Sequence, residues 1–239
     1  MSISLRDIIV IIAFGFFCGT SKLYSQTINT LTIDFVRNVK HHDVSESQSG
    51  TIFFEYPDKM LVKTKMPILQ WMIFESNSLL IYYPDEQKII KINTKNPTTL
   101  PFFQAFQAVS KSDFGLSEVG FSLQNSGIKN DTLEMTWIPP SELKKHISLV
   151  TIKLAADKIV SSVTRDTRGR NISDTRYSDH VNHGGQYFPL TIITKIYESN
   201  KISYSEEIKF SNPVFNSELP DDIINFELPA DIIPHEIEW

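Results

Sequence analysis

The side chains able to do chemistry in this sequence are six histidines, a set of carboxylates threaded among arginines, and one cysteine. Metal binding or acid–base catalysis needs several such groups converging on one point. His41-His42-Asp43 lies in the most polar stretch of the chain, the setting of a solvated surface pair. His180 and His183 stand three apart beside Gly184-Gly185. On a strand that spacing sends side chains to opposite faces, so these two read as turn residues. Asp166 and Asp174 invite a paired-carboxylate reading, but Arg165, Arg168, Arg170 and Arg176 lie among them. Alternating charges on exposed strands form cross-strand pairs. No Gly-x-Ser-x-Gly, cysteine-based or phosphate-loop pattern occurs. The expectation is therefore a protein with no catalytic residue, no metal site and no cofactor.

The elements that must position any site begin after residue 25. Arg6 and Asp7 precede an apolar run from Ile8 to Phe17, and small and polar residues follow from Gly19 to Gln26. This is the layout of a secretory signal, and the run is well short of the roughly 20 residues that span a bilayer. Cleavage is expected after Ser25, so that residues 1–25 are a signal peptide and 26–239 one exported domain. The removed segment holds Arg6, Lys22 and Asp7, which takes the formal charge from −5 for the whole chain to −6. A mildly acidic surface excludes non-specific nucleic-acid binding and attraction to anionic membranes. Cys18 lies within the signal, so the mature domain has no disulfide and depends on its core. A second reading of Cys18, directly after the apolar run, is a lipid-anchoring cysteine.

From residue 31 the pattern is of short strands and turns. Leu31, Ile33 and Phe35 alternate with Thr32 and Asp34, as in a strand with one wet face. A polar loop is expected over His41–Ser49. Thr51 to Tyr56, a Pro57-Asp58 turn, and Met60 to Lys65 form a hairpin. Strands at 69–74, 79–83 and 87–92 continue the series. Such short connections make neighbours antiparallel. Phe102, Phe103, Phe106 and Val109 recur at helical spacing after Pro101, which predicts an amphipathic helix over 101–111. A short helical turn is expected over 113–119. Strands return at 120–124, 132–138, 147–154, 159–165, 171–177, 187–197 and 202–210, with a turn at Asn125-Ser126-Gly127 among others. A sheet of this many strands must curl or close. The proline-spaced tail from Pro213 should be irregular and packed on the outside.

Ile52-Phe53-Phe54 and Trp71-Met72-Ile73-Phe74 place bulky apolar groups on both parities of their strands. Both faces of the sheet must then be covered or lined. An ordinary core between sheet and helices satisfies this, and so does a cavity roofed by one face.

Several segments in order resemble the periplasmic lipoprotein carriers, the LolA family. They are Asp34-Phe35-Val36-Arg37, then Gly50 to Pro57, then Trp71, Ile73 and Leu79 to Pro84. Further on come Ile138-Pro139-Pro140, Asp166-Thr167-Arg168-Gly169 and the close from Leu219-Pro220 to Phe226-Glu227-Leu228-Pro229. Tyr56 stands where that family has the arginine of an Arg-Pro pair, and Arg37 where it has a glutamine. Tyr56 keeps a hydrogen-bonding hydroxyl without the charge.

The resemblance implies a mainly β fold: a single curved antiparallel sheet, a half-open β-barrel, with a helical lid. It also implies a periplasmic monomer that binds the acyl chains of lipoproteins and carries them from the inner to the outer membrane. The implied partners are acylated lipoproteins or another lipid, an inner-membrane releasing complex and an outer-membrane acceptor. The alternative is a sensor or membrane-tethered lipoprotein of the same fold. Phe54 and Tyr56 share a parity with Ile52, and the Pro57-Asp58 turn brings Met60 and Val62 opposite them. If the next two strands continue that face, Trp71, Ile73, Leu80 and Tyr82 complete a ligand-binding cavity closed by Phe102, Phe103 and Phe106.

Overall fold

Alternating apolar side chains and short connections build the described residues almost entirely from hairpins. The computed structural model describes residues 28–56, 59–75, 78–93 and 113–238. Six strands come first: β1 (Thr30–His41), β2 (Val44–Glu55), β3 (Lys59–Met66), β4 (Gln70–Glu75), β5 (Ser78–Tyr83) and β6 (Lys88–Asn93). Seven follow the connection: β7 (Ser122–Lys129), β8 (Thr132–Ile138), β9 (Leu149–Ala155), β10 (Lys158–Arg165), β11 (Asn171–His183), β12 (Gln186–Glu198) and β13 (Lys201–Phe215). A four-residue helix, α1 (Asp221–Ile224), and a last strand, β14 (His235–Glu238), close the chain.

Among the described residues all 14 strands belong to one open, curved sheet in the order β14-β6-β5-β4-β3-β2-β1-β13-β12-β11-β10-β9-β8-β7. The chain steps outward from β1 to β6, crosses to the opposite edge, and steps back through β7 to β13 until β13 pairs with β1. Tight turns make this stepping possible. Asn130-Asp131, Ala156-Asp157, Gly184-Gly185 and Ser199-Asn200 all take positive φ, the backbone whose twist matches that of the flanking strands.

The register gives the sheet two distinct faces. One, here the principal face, carries Leu31 opposite Phe54 and Ile33 opposite Ile52, then Phe54 opposite Met60 and Ile52 opposite Val62. It continues through Val62–Met72, Met72–Ile81 and Ile81–Ile90 on one side. On the other side it runs through Phe35–Phe210, Ile208–Ile192 and Ile192–Tyr177 to Val150–Trp137. Apart from Ile90 these side chains form one cluster, with Ile33, Ile52 and Val62 completely removed from water. Phe114, Leu116 and Val119, in the described part of the β6–β7 crossing, pack against it.

The reverse face holds a smaller cluster, Phe53, Leu61, Leu219 and Ile223, with Trp71, Ile73 and Phe226 against it. Here the tail lies across the strands. Its apolar residues answer the second parity of Ile52-Phe53-Phe54 and Trp71-Met72-Ile73-Phe74.

Several expectations change. The sheet is mixed, because β14 runs parallel to β6. The polar loop expected over His41–Ser49 is instead the far end of the β1–β2 ribbon, turning at His42-Asp43. Asn125-Ser126-Gly127 lies inside β7, and its turn sits at Asn130-Asp131, where both residues adopt the left-handed conformation. Residues 113–120 form turns rather than a helix. Among the described residues α1 is the only helix, so no helical lid is seen there; the helix expected over 101–111 and the signal over 1–25 lie outside them.

Candidate functional site

Two apolar regions sit back to back on β2–β5. On the principal face the first is nearly continuous across the sheet; Met72, Ile81 and Ile92 on β4–β6 keep partial exposure, and Ile128 on β7 is largely exposed. Two polar atoms interrupt it. Thr64 Oγ1 on β3 and Trp137 Nε1 on β8 are dry and have no hydrogen-bond partner. A buried donor left unpaired costs about 1–3 kcal/mol. Toward the far end of β1 the face becomes polar. Arg37 donates from Nε to Glu206, from Nη1 to Gln48 (2.9 Å) and from Nη2 to the Tyr204 hydroxyl (3.2 Å). Tyr204 in turn donates to Glu206 (3.1 Å). Burial, reinforced by the Glu206 charge, pushes the Tyr204 phenol upward. Complete burial does the same to Tyr177.

The second region is a cavity of about 320 Å³ on the reverse face. The sheet supplies Phe53, Leu61, Ile73 and Leu80 from its reverse face together with Met60 and Phe74 of the principal face, and the tail roofs it with Leu219, Ile223, Phe226 and Leu228. Glu55, Lys59 and Glu227 stand at its polar margin. The roof is held by Phe226, whose ring stacks on Trp71 at 4.1 Å and 17°. Lys63 Nζ lies 4.4 Å from the same indole.

The side chains expected to line one cavity divide between these regions. Ile52, Phe54, Met60 and Val62 share the principal face as the hairpin parity requires. Trp71, Ile73, Leu80 and Tyr82 lie on the reverse face, because Met60 pairs with Phe74, Val62 with Met72, and Met72 with Ile81. The shared-face expectation is thus corrected by one residue at β4 and carried through β5. Tyr56 follows β2, its amide bonded to the Asn29 carbonyl (2.7 Å) and its side chain exposed. Phe102, Phe103 and Phe106 lie outside the described residues. The tail residues Leu219, Ile223 and Phe226 are lining residues outside the expected set, and the second apolar parity of β2 and β4 is the signal for them.

The polar candidates are occupied structurally. Asp166 accepts the amides of Arg168 and Arg170 (both 2.9 Å) and the Arg170 guanidinium (2.8 Å). Those bonds, the Arg170 amide foremost, hold its carboxyl below the usual range. Asp174 lies 3.7 Å from Arg176. His180 Nε2 contacts the Ile159 carbonyl (2.8 Å), and burial lowers its pKa. His183 stacks on Phe215 at 4.6 Å, and His41 meets His42 edge to face. Among the described residues no group of three or more His, Cys, Asp or Glu side chains is placed to hold a metal ion.

No protein-family model matches the sequence, and no curated protein matches it. Solved structures do. A DUF1329 family protein from Desulfovibrio piger superposes with a TM-score of 0.61 at 12% identity, covering 84% of this chain and 92% of that one. A putative outer membrane lipoprotein-sorting protein domain from Vibrio parahaemolyticus gives 0.60 at 12% identity, covering 82% and 89%. A LolA superfamily protein from Nitrosomonas europaea gives 0.55 at 12% identity, again covering 82% and 89%. At this identity the likeness establishes the fold: the sheet is LolA-like.

Proposed function

We propose, taking the LolA-like sheet as premise, that this chain is a non-catalytic binder of acyl chains, which it holds against the principal face. In its finer form the reading is a periplasmic carrier of lipoproteins. It would take acylated proteins from a releasing complex at the inner membrane and deliver them to an acceptor at the outer one. The observation that carries the proposal is the principal face itself, apolar across most of the sheet and only partly covered at Met72, Ile81 and Ile92. Each methylene transferred from water to such a surface contributes about 0.8 kcal/mol. A hydrocarbon chain thus gains its binding energy from area and needs few polar contacts.

The test is binding of a fluorescent fatty acid to the mature protein and to three variants. Met72→Asp and Ile81→Asp set a carboxylate where the chain would lie, and desolvating it costs several kcal/mol. They are expected to weaken binding by at least about tenfold. Val36→Asp, on the exposed reverse side of β1, is expected to leave it unchanged. Equal affinity in all three, with folding intact, would remove the principal face from the proposal.

A membrane-tethered lipid binder or sensor is the second reading, favoured by the position of Cys18 directly after the apolar run. Intact mass separates the two: the tethered form begins at a diacylated Cys18, and the soluble carrier begins at Gln26.

A further inference from the structure

The reverse-face cavity is lined mainly by the residues of β2–β5 that alternate with those of the principal face, with Met60 and Phe74 of the principal face also in its wall. Its wall is apolar from both sheet and tail, and at about 320 Å³ it lies at the small end of the ligand-pocket range of roughly 300–1,000 Å³. That size suits one alkyl chain rather than the two or three of a bilayer lipid. At its polar margin Lys59 Nζ sits 3.2 Å from Glu55 Oε2, which cancels one charge of each sign. Glu227, at the same margin, belongs to no ion pair or hydrogen bond among the described residues, so the margin carries an uncompensated negative charge. We propose that this cavity is a second binding site, distinct from the principal face, for a single-chain amphiphile with a protonated amine head. The alkyl chain lies between Leu61 and Ile223, and the ammonium group meets Glu227.

The roof explains how such a ligand gains access. The tail is held across the strands by Leu219, Ile223 and the Phe226–Trp71 stack, and is anchored beyond by the parallel pairing of β14 with β6. Both ends of the roof are therefore fixed while its middle rests on side-chain contacts alone. Local lifting of such a segment needs far less free energy than global unfolding.

The experiment compares dodecylamine with laurate, each below its micellar concentration at pH 7, by calorimetric titration of the mature protein. The parent is expected to bind dodecylamine the more tightly. Ile223→Trp fills the cavity and is expected to abolish one class of sites, as is Leu80→Trp from the sheet side. Glu227→Lys, at an exposed position, is expected to reverse the head-group preference by about two- to fivefold, the scale of an exposed charge pair. Met72→Asp, on the principal face, leaves this class intact, so loss of the acyl site and loss of this one are read separately. Unchanged dodecylamine binding in a folded Ile223→Trp or Leu80→Trp protein overturns the site. An unchanged preference in Glu227→Lys overturns the amine assignment even if both filling variants misfold.

Discussion

Replacing Gly50 with alanine probes the register on which both apolar regions depend. Gly50 lies on β2 between Phe35 of β1 and Thr64 of β3, next to an irregularity in the β2–β3 ladder. A Cβ built there would fall 2.1 Å from the Lys63 carbonyl oxygen and 2.8 Å from Thr64 Cα, where ordinary contact begins at 3.4 Å. Both obstacles are backbone, so no rotamer change relieves them, and β2 and β3 must part by more than 1 Å. Overpacking of this kind costs typically 1–3 kcal/mol, and a ladder hydrogen bond stretched beyond use adds about 1 kcal/mol. The expected loss is about 3 kcal/mol. With a urea dependence of about 2–3 kcal/mol per molar, the midpoint falls by roughly 1–1.5 M. Gly127→Ala is the control, since a Cβ there meets nothing within 4 Å on the exposed strand β7. It is expected to stay within about 0.5 kcal/mol of the parent. Parallel urea titrations followed by circular dichroism and tryptophan emission measure both. If Gly50→Ala unfolds at the parent's midpoint, β2 and β3 do not approach as described, and the assignment of Ile52 and Phe53 to opposite faces loses its basis.

Phe226→Ala removes the ring stacked on Trp71 and is expected to cost about 2 kcal/mol, less than a fully buried phenylalanine. Trp71 emission should shift to the red as its face is wetted; an unchanged spectrum would mean that the tail is not seated on β4. Asp34 accepts hydrogen bonds from Asn212 Nδ2 (3.0 Å) and Thr51 Oγ1 (2.8 Å), tying β13 and β2 across β1. The Asn212 bond, then the Thr51 bond, lower its folded pKa below the ordinary 3.8 against the opposing effect of burial. Its stabilisation is therefore complete above the unfolded value and disappears as pH falls through the lower folded one. Thermal melts of the parent and Asp34→Ala should differ at pH 6 and converge toward pH 2, and a gap that persists at pH 2 would contradict the carboxylate's role.

The fold was legible wherever local pattern and turn chemistry agreed. Leu31, Ile33 and Phe35 alternate against polar neighbours, and the sequence signal Pro57-Asp58 implies the pairing of Ile52 with Val62 that the register shows, so β1–β3 are legible with the correct faces. At β4 and β5 the pattern carries no parity, because every residue from Trp71 to Phe74 and from Leu79 to Tyr83 is apolar or aromatic. The register there is chosen by the tail, which supplies a partner for the reverse face that lies more than 140 residues away in sequence. The outer reach of β1 and β2 carries a loop-like pattern because it has no core to face. Its order comes from ladder hydrogen bonds and the Arg37–Glu206–Tyr204 network, which leave no hydrophobic period. In β7 the Asn125-Ser126-Gly127 signal is overridden by pairing with β8, where Gly127 sits opposite Glu134 in regular register.

The central claim, that the principal face holds acyl chains, is tested most directly by native mass spectrometry of the protein extracted gently from the cells that make it. The expected spectrum shows a population heavier than the polypeptide by the mass of a lipid or an acylated protein, released on activation as fatty-acyl species and diminished in Met72→Asp. A spectrum of bare polypeptide alone, from a preparation in which a known lipid carrier retains its cargo, would contradict the account.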